Sequence, residues 1–387
     1  MMPKMTHKPR LKMLITTDCF LPRWDGISRF LAEVIPSLSQ EYDLTVLAPD
    51  FGKHAQNFDA KIIKFPTYKW SVGDIKIARP DLAKVGKLVS EADIVFNQTL
   101  GPIGIRSVQR AIRYKKPVIA YIHSIDWELF SKSIKHGRGL VRWATRAYQR
   151  RVYNKCQLLL VSSKDISRLY EEIGITTKKR VVHLGVNITR FCPPQFKDKA
   201  KRDVGLNPRH TIIGFVGRIG REKDVPTLKR AFDMVKKDHP NTRLLIVGSG
   251  VPEEERKIAG DDVIMPGMTE NVIPYLQAMD IFVLPSLTET SSLATMEAMA
   301  CGLPVIATPV GSIKEYVEPG VNGFTFPRRS AKTLAHRLDL LLKDPQLRIR
   351  MGKSARNAAI RKFRWFETSR EIKKAVAEVM KVTTEEL

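Results

Sequence analysis

Apolar residues in this chain gather in short runs, most of them followed by a longer stretch whose apolar positions repeat at helical spacing. Leu11–Thr17, Tyr42–Ala48, Lys61–Phe65, Ile94–Phe96, Pro117–Ile122 and Leu158–Val161 read as strands. Ile27–Leu38, Pro80–Ser90, Gly101–Tyr114, Ser131–Lys155 and Asp165–Ile173 read as helices. A second series opens with strand Thr211–Val216. It continues with strands Arg243–Val247, Val263–Met265, Ile281–Leu284, Val305–Ala307 and Thr325–Phe326. Its helices are Pro226–Lys236, Asn271–Met279, Leu293–Ala300 and others reaching Met380. Between the series, Pro193-Pro194 and a run of Lys and Asp make residues 191–208 a linker. Strands alternating with helices predict α/β domains with parallel sheets at 1–190 and 209–362, and a terminal helix over 363–387.

Residues 281–308 carry the most chemistry. The strand Ile281–Leu284 is closed by Pro285, and a polar loop, Thr288 to Ser292, leads into the helix Leu293–Ala300. Cys301-Gly302-Leu303-Pro304 ends that helix before the next strand. The loop therefore lies at the carboxyl end of a parallel strand, where open α/β sheets bind ligands. Ser291 or Ser292 would cap the helix, whose free amides suit a phosphate. Glu289 precedes the helix and Glu297 lies inside it, roughly 8 Å further along. Both can accept hydrogen bonds from hydroxyls, which outlines a nucleotide sugar. A capping glutamate and a solvated one would give the same spacing.

Other candidates sit at strand ends. Gly217-Arg218-Ile219-Gly220-Arg221-Glu222-Lys223 follows Thr211–Val216 and offers Arg218 as a planar fork and Lys223 as a point charge for phosphate oxygens. Its glycines, three apart, do not make the dinucleotide fingerprint. Gly26, in the first strand-to-helix turn, allows close backbone approach. His123 ends the strand Pro117–Ile122. Asp261-Asp262 precedes its strand, so no metal site is expected there, and no cofactor is implied.

Charge adds a second theme. The net charge is +25 over 387 residues, and residues 1–190 carry 33 Lys/Arg against 16 Asp/Glu. That excess implies an anionic partner. In the predicted helix Ser131–Lys155, Leu140, Trp143, Ala144, Ala147, Tyr148, Arg151 and Val152 follow helical spacing, and Lys135, Arg138, Arg142, Arg146, Arg150 and Lys155 load the remainder. Such a helix suits an anionic membrane surface, and equally an ordinary core-packed position. Four scattered cysteines suggest a reducing compartment. With neither a signal peptide nor an apolar run of membrane-spanning length in the sequence, the expectation is a cytoplasmic protein, peripheral on the inner face of the cell membrane.

The motif Glu289, seven residues, Glu297, then Ala298-Met299-Ala300-Cys301-Gly302-Leu303-Pro304-Val305 resembles the signature of family 4 retaining glycosyltransferases. Val216-Gly217-Arg218 with Lys223, Gly185-Val186-Asn187 and Gly320 to Phe324 extend the likeness over nearly the whole chain. The resemblance implies the GT-B fold: two Rossmann-like, doubly wound domains, a cleft between them, and C-terminal helices crossing back to the first. It implies that Arg218 and Lys223 hold the donor diphosphate and that Glu297 binds the ribose. Glu289, Gly217, Thr290, Ser291, Ser292 and Leu293 would hold the hexose and its phosphate, with His123 near the sugar and Gly26 lining the crevice. The chain departs from the family pattern at Asp25-Gly26, where Gly-Gly is common, at Thr290-Ser291 in place of Gly-Phe, and at Asn187 in place of Asp.

The expected activity is transfer of a hexose, glucose or mannose, from a UDP- or GDP-sugar to a membrane-associated lipid. A soluble saccharide or sugar-phosphate acceptor is the alternative. Charge alone would also fit nucleic-acid binding, but no recognised DNA or RNA module occurs. Donor binding without catalysis is disfavoured by the retention of Arg218, Lys223 and Glu297.

Overall fold

The computed structural model describes residues 10–23, 25–72, 75–128 and 137–385. The first sheet uses β1 (Lys12–Thr16), β2 (Asp43–Pro49), β3 (Lys61–Phe65), β6 (Ile94–Asn97), β7 (Val118–Ile122), β8 (Leu158–Val161) and β9 (Lys179–Val181). All pairings are parallel, in the order β3-β2-β1-β6-β7-β8-β9. The second uses β10 (Thr211–Val216), β11 (Thr242–Val247), β12 (Val263–Gly267), β13 (Ile281–Leu284), β14 (Val305–Ala307) and β15 (Gly323–Thr325). It is also parallel, in the order β12-β11-β10-β13-β14-β15. Buried on both faces, the strands read as continuous apolar runs, which is why they were legible. In each sheet the chain winds away in both directions from one point, between β1 and β6 and between β10 and β13. Those are the switch points at which a crevice opens.

Helix α1 (Gly26–Leu38) covers one face of the first sheet. Helices α2 (Leu82–Glu91), α3 (Pro102–Arg113), α4 (Arg138–Tyr153) and α5 (Lys164–Glu172) form the layer on the other face, where Val85, Val108, Val152 and Tyr170 share one core. Several elements were not foreseen. An antiparallel hairpin, β4 (Thr67–Val72) with β5 (Ile75–Ala78), follows β3. The short strand β9 extends the sheet edge, and helix α6 (Lys197–Asp203) lies inside the segment read as a linker. Only Ala200 and Lys201 of α6 are buried, so no apolar period marks it. It is held through polar groups: Lys201 Nζ lies 2.8 Å from Asp280 and donates to the His210 carbonyl at 2.7 Å. Helix α4 is described from Arg138, with left-handed Gly137 (φ 71°) before it, and the predicted stretch 131–136 lies outside the described residues. Lys135 lies outside the described residues.

In the second domain come α7 (Val225–Lys236), α8 (Pro252–Arg256), α9 (Ile273–Ala278), α10 (Leu293–Ala300), α11 (Ile313–Tyr316), α12 (Ala331–Lys343) and α13 (Pro345–Lys362). Helix α14 (Trp365–Glu385) then returns to the first domain, as the resemblance implied. Trp365 meets the Phe30 ring edge-on at 6.1 Å, and Lys373 pairs with Glu41 at 2.8 Å. The Phe363 carbonyl accepts from Val186 N at 3.1 Å. At the domain crossing, the Arg356 guanidinium donates to the carbonyls of Phe191 and Ala300, each at 2.7 Å, and of Ile188 at 2.9 Å.

Gly185 is the close approach that seats α14. A Cβ there would stand 2.5 Å from Trp365 N and 2.7 Å from its indole. Gly185→Ala must push the helix away, so urea denaturation should show a loss of about 1–3 kcal/mol. An unchanged midpoint would mean that α14 is not seated on this turn.

Candidate functional site

At the switch point of the second sheet, two loops meet. The loop after β10 leaves through Gly217, whose N donates to the Val247 carbonyl at 3.0 Å. Gly248 (φ 131°) lies so near that a Cβ there would sit 2.1 Å from Gly217 O, so the floor of the crevice is bare backbone. The loop after β13 is tied to the first one where Leu287 N donates to the Glu222 carbonyl at 2.7 Å. This brings the predicted cation and carboxylate together: Lys223 Nζ is 2.5 Å from Glu289 Oε1, which also accepts from Ser286 Oγ at 2.7 Å. Arg218 reaches Glu222 at 2.7 Å. From the sequence, both cations are expected to meet an external phosphate. In the structure each also has an internal carboxylate partner.

Ser292 is the residue that caps α10, accepting from Thr295 N at 3.3 Å and Thr295 Oγ1 at 2.9 Å. The neighbouring Ser291 Oγ is buried and has no partner among the described residues. Leu293 is buried in the first turn, and Glu297 is 2% exposed one turn further in. Glu297 forms an ion pair with Arg29 of α1, across the cleft. Burial lowers the Arg29 guanidinium to about 10, which leaves it charged at neutral pH. The second carboxylate oxygen of Glu297 is buried without a partner among the described residues. It thus has acceptor capacity to spare for a hydroxyl.

Thr290 serves the join between domains. Its hydroxyl donates to the His123 carbonyl at 2.6 Å, and its own carbonyl accepts from Ser162 Oγ at 2.9 Å and Ser312 N at 3.0 Å. A donor sugar would therefore meet Thr290 chiefly through backbone. His123 stacks on Tyr121 (4.4 Å, 22°) and meets Phe30 edge-on at 4.8 Å. Burial lowers its pKa to about 3. It is neutral, and its Nε2 donates to Gln98 Oε1 at 2.9 Å. Gly26 opens α1 one turn before Arg29, and nothing stands within 4 Å of where its Cβ would be. Asp25 caps that helix, accepting from Ile27 N at 3.0 Å and Ser28 N at 2.9 Å. A carboxylate already occupies this terminus.

Arg29, Gln98 and Ser162 were missed. Gln98 and Ser162 end predicted strands, so the rule that selected His123 would have found them. Arg29 is one basic residue among many on a helix, and only the fold gives it Glu297.

On α4, Leu140 is 70% and Trp143 68% exposed, while Gln149, Val152 and Tyr153 are buried. Arg142 pairs with Glu128 at 3.1 Å, Arg146 lies over the Trp127 ring at 5.3 Å, and Arg150 packs over Gly174. Arg138 is exposed in the first turn. Asp126 anchors the helix by accepting from Gln149 at 2.7 Å, and burial raises its carboxyl to about 6. Among the described residues, no helix is long and apolar enough to cross a membrane.

Residues 24–190 match the family model "Glycosyltransferase Family 4", and residues 196–358 match "Glycosyl transferases group 1". The chain is 26% identical over 386 aligned positions to a GDP-mannose-dependent alpha-(1-6)-phosphatidylinositol monomannoside mannosyltransferase of Mycolicibacterium smegmatis, covering 91% of this chain and 95% of that protein. It is 30% identical to a D-inositol 3-phosphate glycosyltransferase of Corynebacterium jeikeium, over 60% of each. Among solved structures, HepE of Anabaena in complex with UDP-glucose superposes with a TM-score of 0.79 at 18% identity, covering 95% of this chain and 100% of that one. Sucrose-phosphate synthase of Thermosynechococcus elongatus gives 0.77 at 19%, covering 96% and 100%. At these identities the structural likeness speaks for the GT-B fold.

Because the folded pKa of His123 lies below its ordinary value of 6.5, the unfolded chain takes up its proton first. Its contribution to stability is complete above pH 6.5 and is lost as pH falls toward 3. His123→Leu should therefore lose less stability than the parent between pH 7 and pH 4 in denaturant titrations. Equal acid sensitivity would contradict a buried neutral imidazole.

Proposed function

Because this chain belongs to glycosyltransferase family 4, we propose that it transfers a hexose from a nucleoside diphosphate sugar to a membrane lipid, with retention at the anomeric carbon and without a metal. The observation that carries the proposal is the convergence of Arg218, Lys223 and the α10 terminus on one crevice, with Glu297 beside it and His123 and α1 opposite. Arg218 and Lys223 meet the diphosphate and neutralise the charge that grows as the C1–O bond breaks. Each such group is typically worth about 3 kcal/mol of barrier. Glu297 accepts from ribose hydroxyls through its spare oxygen, while Glu289, with Gly217 and the backbone from Thr290 to Leu293, holds the hexose and its phosphate. Neutral His123, whose Nε2–H is given to Gln98, can accept at the sugar through Nδ1 but does not supply charge.

For retention, the acceptor oxygen forms its bond to C1 on the face the phosphate leaves. Its proton passes to a departing phosphate oxygen. Fixed cations do here what a metal ion does in other transferases.

Two observations favour a lipid acceptor over a soluble one. The full-length relative is named for a phosphatidylinositol monomannoside acceptor, and α4 turns Leu140 and Trp143 to solvent beside Arg138. Such a helix can lie in a membrane interface. We place the protein on the inner, cytoplasmic face of the cell membrane, peripherally. The donor is a UDP- or GDP-hexose, mannose or glucose.

The test is incubation of the protein with UDP- and GDP-sugars and a lipid extract, with mass spectrometry of the products. A hexosylated lipid is expected from one donor, and Arg218→Ala or Lys223→Met should lower kcat by roughly a hundredfold. Full activity in either variant would remove the leaving-group role. Products formed only on soluble sugars would overturn the lipid acceptor.

A further inference from the structure

The layer that carries α4 holds a second basic feature, away from the cleft. A cavity of about 210 Å³ is lined by Leu82 of α2 and by Arg106, Gln109, Arg110 and Arg113 of α3. The three arginines stand at i, i+4 and i+7, on one side of the helix. Like charges at that spacing repel and weaken a helix. The C-terminal dipole offsets this for Arg110 and Arg113, which lie in the last turn, but not for Arg106. None of the three has a carboxylate within ion-pair distance among the described residues. The Asp81 carboxylate near the cavity is committed to capping α2, where it accepts from Ala83 N and Lys84 N.

The cavity is shaped by its surroundings. Gly86 of α2 leaves room for Arg110, whose Nε would be 3.6 Å from a Cβ there, and for the Tyr114 hydroxyl at 3.5 Å. Gln109 Oε1 accepts from Arg106 at 3.1 Å, so its amide nitrogen remains a donor. Arg106 is also close enough to Tyr148 of α4 to oppose the rise that burial imposes on that phenol. The cavity and the helix that exposes Leu140 and Trp143 belong to one layer, since Val85, Val108 and Val152 share a core. At its own rim Leu82 is 44% exposed.

We propose that this cavity binds the phosphate of a lipid headgroup while α4 lies in the interface. Guanidinium forks match phosphate oxygens in pairs, and an apolar rim beside them suits a ligand whose other end is acyl chain. The site would be distinct from the acceptor position in the cleft. It rests on the membrane placement proposed above and not on the transferase chemistry.

The experiment is flotation of the intact protein with phosphatidylcholine vesicles, with and without phosphatidylinositol. Arg106→Ala with Arg113→Ala should weaken binding to the anionic vesicles about tenfold or more. The charge-matched control, Lys332→Ala with Lys353→Ala on the second domain, should change it far less. Arg106→Lys with Arg113→Lys keeps the charge and should restore binding only in part, because the fork is lost. Leu140→Ser with Trp143→Ser should weaken binding to both kinds of vesicle.

Equal loss in the arginine variant and its control would overturn the proposal. So would full recovery with lysine. If inorganic phosphate, at ionic strength balanced with chloride, shifts the α3 resonances while vesicle binding is untouched by the arginine changes, the site takes soluble phosphate and the lipid assignment falls. Transfer to a detergent-dispersed acceptor, run alongside, shows separately whether the transferase reading stands.

Discussion

Thr290 is bonded to both domains at once. Its hydroxyl reaches the His123 carbonyl and its carbonyl receives Ser162, both from the first domain, while Ser312 N of the second donates to the same oxygen. Gly311 (φ 55°) presses on this segment from behind, since a Cβ there would lie 2.2 Å from Glu289 O. The loop that bears Glu289 and opens α10 is therefore positioned by contacts on both sides. Any rotation of one domain against the other must break or carry these bonds. In the proposed function, closure of the cleft and alignment of the donor site become one event.

The charges obey the same constraint. Two cations held in a crevice without partners would repel and would be costly to desolvate. Glu222 and Glu289 hold Arg218 and Lys223 in place, and Arg29 does the corresponding work for the buried carboxylate of Glu297. In the proposed function, a diphosphate entering the crevice meets groups that are already oriented, so little reorganisation is left for the chemical step. The Arg29 contact also ties Glu297 of the second domain to α1 of the first.

Much of this was legible in the chain. The apolar run at β13 followed by Leu-Ala-Thr-Met-Glu-Ala-Met-Ala could hardly be anything but a buried strand and a buried helix, and the loop between them had to face the sheet's carboxyl edge. What stayed hidden depends on distance in sequence. Ser162 meets Thr290 and Arg29 meets Glu297 only once two domains are stacked, and no local period announces such pairs. Helix α6 was hidden for another reason: its composition is almost wholly polar, and Lys201 ties it down through Asp280 where an apolar face would normally do so. On α4 the apolar positions were found, but which of them turn inward is decided by Val152 and Tyr153 packing on the sheet. That leaves Leu140 and Trp143 outside.

The central claim is that one nucleotide sugar binds between Lys223, Arg218 and Glu297. A crystal structure with a bound nucleoside diphosphate tests it most directly. Phosphate oxygens are expected within hydrogen-bond reach of Lys223 Nζ and the Arg218 guanidinium, with ribose hydroxyls on Glu297. Phosphates bound elsewhere, with the Lys223–Glu289 and Arg218–Glu222 pairs intact and untouched, would contradict it.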